Sequence, residues 1–308
     1  MRKWIINLSL FLLPLFCYGV AFEWYCRNKT IFGVKRRYAL AHLSTVKTIY
    51  TGTSHIEKGV RIPLQDAQYL NWAAPGQTFA FEYHLLKKYL PDMSSIQTVC
   101  IEMSPTRIYL NPKPDDWSAN VYWIHYGIPY SVNVYNPIRS SHLLQSYAFF
   151  KDMVHDAWNP FKEHLKIDDT GFAPDDFKDR FWSCQFDTAQ IQASFKMKYD
   201  FKLSESLIKS NLDFLDSTLT MLRRHNIQTV LIVPPFYETF NRAIPPLVKA
   251  RFDRTLSEIM SQSMVSVFNF NRPDIWEVSD YYNDNHLNPK GAQKWFAMLK
   301  DSINQIGH

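Results

Sequence analysis

Thr229-Val-Leu-Ile-Val233, closed by Pro234-Pro235, is the stretch on which the fold reading turns. An unbroken apolar run of strand length, stopped by residues that cannot extend a sheet ladder, suits a strand covered on both faces, as in a parallel sheet. Working outward, 205–225 reads as an amphipathic helix, with Leu207, Ile208, Leu212, Leu215, Leu219 and Leu222 on one stripe. A helix near 247–262, a strand at Val265–Phe270 and a final helix from Pro289 follow. On the other side, Val46-Lys-Thr-Ile-Tyr50 and Thr98-Val-Cys-Ile-Glu-Met103 are further strands. Between them Phe79, Tyr83, Leu86 and Leu90 recur at helical spacing before Pro91. Strands alternating with helices predict an α/β class, a doubly wound and mainly parallel sheet, with chemistry at the carboxyl ends of the strands.

Composition narrows the class further. Of 308 residues, 46% are hydrophobic and 20% charged, which suits a globular chain and excludes wholesale disorder. The formal charge is +5, but setting aside Arg2 and Lys3 leaves residues 23–308 with 32 bases against 29 acids. So small an excess predicts no nucleic-acid partner. Cys17, Cys26, Cys100 and Cys184 match no zinc spacing and no disulfide framework. A single bridge, Cys26 with Cys184, stays open beside the reading that they are small buried hydrophobes.

Trp4 to Phe22 are 19 residues without a charge, about 28 Å as a helix, preceded by Arg2 and Lys3. They read as a single-pass anchor in the lipid bilayer with the remainder extracytoplasmic. Gly19-Val20-Ala21 keeps open a signal peptide cleaved after Ala21 and a secreted product. The chain then divides into a segment 1–22, a juxtamembrane connection 23–44 and an α/β domain 45–308. Within that domain the helix–strand pattern dissolves over 104–204, a stretch rich in Trp, Tyr and Pro. We read it as an insertion overhanging the sheet, its rings either filling a small core or stacking sugars.

Three pieces fall where strands end. Tyr50-Thr-Gly-Thr-Ser54-His55 puts a serine at a strand-to-helix turn, where free N–H groups favour a developing anion. Asn71-Trp-Ala-Ala-Pro-Gly76-Gln77-Thr78 is a glycine turn entering a helix, open to a substrate oxygen. Asn283-Asp284-Asn285-His286-Leu287-Asn288-Pro289-Lys290-Gly291 supplies an imidazole and a nearby carboxylate before the last helix. Singly, each also reads as an N-cap, a plain turn or a surface polar cluster. Their order gives them weight.

That order resembles the SGNH/GDSL hydrolase superfamily over roughly 45–103 and 205–305. Gly52-Thr53-Ser54 stands where its first block has Gly-Asp-Ser, Asn71 to Thr78 looks like the second, and His286 to Gly291 is similar to the last. The resemblance implies a flavodoxin-like three-layer fold and an acyl-serine mechanism without metal or organic cofactor. Ser54 would be nucleophile, His286 base, and the backbone N–H groups of Ser54 and Gly76 the oxyanion hole. Two departures stand out. The strand ending Glu102-Met-Ser104-Pro-Thr106-Arg107 lacks the family's Asn donor, leaving Ser104, Thr106 or backbone groups. The acid normally lies three residues before the His, where this chain has Asn283; Asp284 is the expected substitute. A membrane-tethered member resembles envelope proteins that acylate polysaccharides. It would then add O-acetyl groups to a glycan acceptor, from a membrane acyl-donor protein, or remove them, with Trp117, Trp123 and Tyr126 as substrate-binding rings. A plain esterase and a non-catalytic assembly protein on the same scaffold remain alternatives. His55 reads as packing or contacting the loop, with a catalytic role as the lesser alternative, and Asp280 as a surface residue that could also reach the site.

Overall fold

The computed structural model describes residues 2–110, 116–128, 167–173, 180–187, 189, 205–262 and 265–306. Helix α1 (Arg2–Lys29) runs unbroken through Pro14 and past the end of the uncharged run. Over Ile6–Lys29 it is long and apolar enough to cross a membrane or to be a signal sequence, and almost none of it is buried. Thr30 alone separates it from α2 (Ile31–His42) and caps α2 by accepting the Gly33 N–H. Phe22 and Cys26 of α1 are buried, as are Phe32, Val34, Tyr38 and Ala39 of α2.

β1 (Thr48–Thr51), α3 (Ser54–Gly59), β2 (Tyr69–Asn71), α4 (Phe79–Tyr89) and β3 (Thr98–Glu102) form the first half of the domain. Then come α5 (Asp116–Tyr126), α6 (Arg180–Ser183), α7 (Glu205–Arg224), β4 (Gln228–Val233), α8 (Glu238–Ala243), α9 (Pro246–Gln262) and β5 (Ser266–Asn269). β6 (Tyr281–Asn283), β7 (His286–Leu287) and α10 (Pro289–Ile306) close the chain.

The sheet order is β2-β1-β3-β4-β5, every pair parallel, with Tyr50 opposite Cys100 and Cys100 opposite Val230. Side chains alternate across it as the pleat demands. Ile49, Val99, Ile101, Leu231 and Val233 face one apolar layer with Phe79, Leu85 and Leu86 of α4 and Leu215, Leu219 and Leu222 of α7. Tyr50, Cys100, Val230 and Ile232 face the other, with Ile56 of α3 and Trp295, Phe296 and Leu299 of α10. Helices therefore cover both faces, which is why β3 and β4 read as continuous apolar runs. The doubly wound α/β expectation holds. In this strand order the winding reverses between β1 and β3, and ligands of such sheets sit at that crevice.

The long elements lie within a residue or two of where the sequence places them. α7 stops because Asn226 adopts a left-handed φ of 55°, letting the Asn226 and Ile227 N–H groups reach back to Arg223 and Leu222. β2 and the β6–β7 hairpin carried no readable period, being two or three residues long. Of the insertion 104–204, only 104–110, α5, 167–173, 180–187 and 189 are described; the overhang reading falls mostly outside the described residues. All four cysteines are free thiols, so the Cys26–Cys184 bridge is absent.

Candidate active site

Ser54 is the first residue of α3, directly after β1. The turn that delivers it depends on Gly52, whose φ is +152° and whose missing Cβ would lie 2.6 Å from both Glu102 Cβ and Glu102 Oε2 and 2.8 Å from Ile56 Cγ1. Thr53 caps α3, its hydroxyl accepting the His55 N–H. The hydroxyl of Ser54 lands 2.9 Å from His286 Nε2 across 232 residues of chain.

Asn283 sets the state of that histidine. Its Oδ1 accepts the backbone N–H groups of Asn285 (3.0 Å) and His286 (2.8 Å) and lies 3.1 Å from His286 Nδ1. Two backbone donors identify this atom as the amide oxygen, so Nδ1 carries the ring proton and Nε2 turns its lone pair to Ser54. The acid position of the sequence pattern is thus filled, in register, by a neutral amide. Asp284, expected at that place, is 1% exposed, and its backbone carbonyl accepts the Tyr237 N–H. Nδ1 is met by Asn283.

Ala74-Pro75-Gly76-Gln77 forms a tight turn, the Gln77 N–H bonding Ala74 O, with Gly76 at φ +65° and open space where its Cβ would be. The N–H groups of Ser54 and Gly76 have no hydrogen-bond partner among the described residues. The turn is tied to the serine helix. Ala74 N–H bonds Gly52 O, and Asn71 Nδ2 reaches the carbonyls of Ile56, Glu57 and Val60. From α2, buried Lys35 donates to Ala73 O at 2.7 Å and lies 3.7 Å from Glu57. Burial pushes the Lys35 ammonium down, and Glu57 opposes it. Gln77 is wholly buried, and neither amide atom has a partner among the described residues.

A second polar cluster lies behind the serine. Glu102 ends β3 fully buried, receiving the Thr53 N–H (2.5 Å) and hydroxyl (2.8 Å) on Oε2 and the Ser104 hydroxyl (2.8 Å) on Oε1. Oε1 also lies 2.9 Å from His55 Nδ1. Burial alone would raise this carboxyl. The His55 imidazole, the Arg107 guanidinium and the Thr53 N–H outweigh it and hold the pKa at about 2. Arg107 bonds the Glu102 carbonyl and Glu82 Oε2, each at 2.7 Å, and stacks on Phe79. Ser104, a possible oxyanion donor by sequence, is committed to Glu102. The sequence offered one signal for this cluster, a carboxylate inside an apolar strand.

The aromatic expectations divide. Tyr126 is a core residue, 4% exposed, its ring against Trp72, Tyr89 and Tyr122; it offers no face to a sugar. Trp123 is half-buried on α5, and the Trp117 side chain lies outside the described residues. Asp280 is buried under Lys294, not on the surface. Among the described residues no cluster of His, Cys, Asp or Glu is arranged to hold a metal.

No family model matches the chain, and no curated protein matches it. Among solved structures, one from Bacteroides fragilis, provisionally described as an acylhydrolase, is 10% identical, with TM-score 0.42, covering 88% of this chain and 95% of its own. Another, from Streptococcus pneumoniae and provisionally described as a platelet activating factor, is 12% identical with TM-score 0.41, covering 96% and 99%. Likenesses this distant leave the site geometry as the ground for function.

Proposed function

We propose that this chain is a serine-dependent acyl-transfer enzyme. The observation that carries the reading is the Ser54–His286–Asn283 relay: a hydroxyl 2.9 Å from an imidazole lone pair whose opposite nitrogen is fixed at 3.1 Å. An amide in third place fixes the tautomer and orientation of the imidazole, as the asparagine of cysteine–histidine–asparagine relays does, and leaves the imidazolium charge to be offset by neighbouring carboxylates. Ser54 Oγ attacks an acyl carbonyl while Nε2 takes its proton. The Ser54 and Gly76 N–H groups receive the oxyanion, and Nε2 returns the proton to the leaving oxygen. A second hydroxyl, from water or an acceptor, then reverses these steps on the acyl-serine. Asp284 would act on the imidazolium from the adjoining turn. Within this reading the acyl group is O-acetyl and the acceptor an envelope or secreted glycan, with α1 as an anchor and the domain extracytoplasmic. This finer part rests on the sequence resemblance and the apolar α1.

The test is labelling of the full chain, in detergent, by a serine-directed fluorophosphonate. Wild type is expected to label with one equivalent and to hydrolyse a small acetyl ester; Ser54→Ala is expected to do neither while keeping its unfolding midpoint. Labelling retained in Ser54→Ala removes Ser54 as nucleophile. Adding oligosaccharides and following acyl-sugar formation separates transfer from hydrolysis.

A further inference from the structure

We propose that Glu102, acting through His55, is a second buried anion, beside Asp284, that supports His286 during acyl transfer, sharing the part a carboxylate at position 283 would play. The inference rests on the acyl-transfer reading and makes His55 and Glu102 positioning residues. Proton transfer from Ser54 leaves an imidazolium on His286. Asn283 fixes its tautomer but carries no charge to offset it. The His55 ring centroid lies 5.4 Å from that of His286, and His55 Nδ1 faces Glu102 Oε1 at 2.9 Å. Glu102 is 0% exposed and His55 5%, so water screens little of the field between them.

Glu102 is also built to stay anionic, with the Thr53 N–H, the Thr53 hydroxyl and the Ser104 hydroxyl all donating to it. Its donors come from the two strand ends that form the crevice, one of them the residue before Ser54. The far nitrogen of His55, Nε2, is buried and has no partner among the described residues. An unmet buried polar atom is costly, and such atoms gather at functional sites. A histidine present only for packing would have been satisfied or replaced by an apolar ring, since Phe236 already meets it edge-on at 5.0 Å.

Among the described residues, the other charged or titratable groups near His286 are these. α3 carries Glu57, opposite Lys35, and Lys58. The β6–β7 hairpin carries Tyr281, Tyr282 and Asp284, and Tyr237 packs on Tyr281. On α10, Lys290 and Lys294 pair with Asp280. Arg107, next to Glu102, is engaged by Glu82.

The test is a histidine NMR titration of the full chain in detergent, with His286 assigned through His286→Gln, beside the pH profile of kcat/KM for an acetyl ester. Removing the anion disfavours the imidazolium. Glu102→Gln is therefore expected to lower the His286 pKa by about one pH unit, move the acid limb of the profile down equally and cut kcat about 10- to 100-fold. Asn283→Asp in that background is expected to restore both. Asn283→Asp alone, whose carboxylate can accept the same backbone N–H groups, is expected to change kcat less than about threefold, because the support already exists. An unmoved His286 pKa in folded Glu102→Gln overturns the proposal. So does a gain of a hundredfold from Asn283→Asp alone, which needs no tolerance of substitution at Glu102. A wild type that neither labels nor hydrolyses defeats the acyl-transfer reading instead, while the titration still reports whether Glu102 and His286 are coupled.

Discussion

Gly52→Ala tests whether the serine turn is as tightly specified as its geometry implies. The new Cβ enters at 2.6 Å from Glu102 Cβ and Oε2 and 2.8 Å from Ile56 Cγ1, far inside van der Waals contact. Glu102 Oε2 holds Thr53 N–H and hydroxyl, so it cannot swing aside without breaking both bonds. Overpacking of this kind costs about 1–3 kcal/mol, and a side chain at φ +152° adds about 1–3 kcal/mol of backbone strain. The expected loss is about 2–6 kcal/mol in chemical unfolding of the detergent-solubilised chain. Gly76→Ala is the control, since at φ +65° it has nothing within 4 Å and carries only the strain, about 1–2 kcal/mol. The difference between the two losses isolates the steric part. Equal losses, or a Gly52→Ala loss under about 0.5 kcal/mol with labelling intact, would refute the account of this turn.

Three further outcomes are expected. The Glu102 carboxyl, held at about 2 against an ordinary 4.5, contributes up to about 3 kcal/mol that is fully present above pH 4.5 and lost as pH falls toward 2. Glu102→Gln should flatten that window of a stability–pH curve, and an unchanged slope would contradict it. Gln77→Leu should leave stability equal or higher, because both amide atoms are buried without a partner among the described residues; a fall in ester turnover without a fall in stability would show instead that the amide serves the oxyanion. Trp295→Ala, which removes the ring beneath Gly59 between α3 and α10, should cost about 3–5 kcal/mol by thermal or chemical unfolding.

What the sequence disclosed follows the range of the interactions involved. The α7 stripe and the run Thr229–Val233 are local patterns with many residues voting, and they placed the sheet and its layers. Ser54 and His286 were legible through order along the chain. Asn283 was visible as a departure but not as a relay member, because its role depends on two backbone N–H groups brought round by the hairpin turn. Glu102 hid at the end of a strand, since two of the partners that keep it charged, Thr53 and His55, lie 47 to 49 residues earlier. Nothing in the basic run Lys35-Arg36-Arg37 singles out Lys35; only the tertiary approach of Ala73 and Glu57 makes it a buried bond. Tyr126 shows the reverse: composition cannot tell a stacking platform from a core.

The joint at Thr30 leaves almost no slack between the apolar helix and the domain. Its hydroxyl donates to Cys26 O and accepts the Gly33 N–H, stitching the end of α1 to the start of α2. Lys35, one turn further, fastens α2 to the strand-end loop that carries Gly76. A flexible tether of n residues sweeps about 5–6 Å × √n, and reach grows with its length. A one-residue joint supplies no such tether. With α1 in a bilayer, Ser54 would be held at one altitude above the lipid, like a stylus on a rigid arm. Any long acceptor would have to be threaded past at that height rather than searched for, and splicing a flexible loop in at Thr30 would trade that fixed altitude for reach.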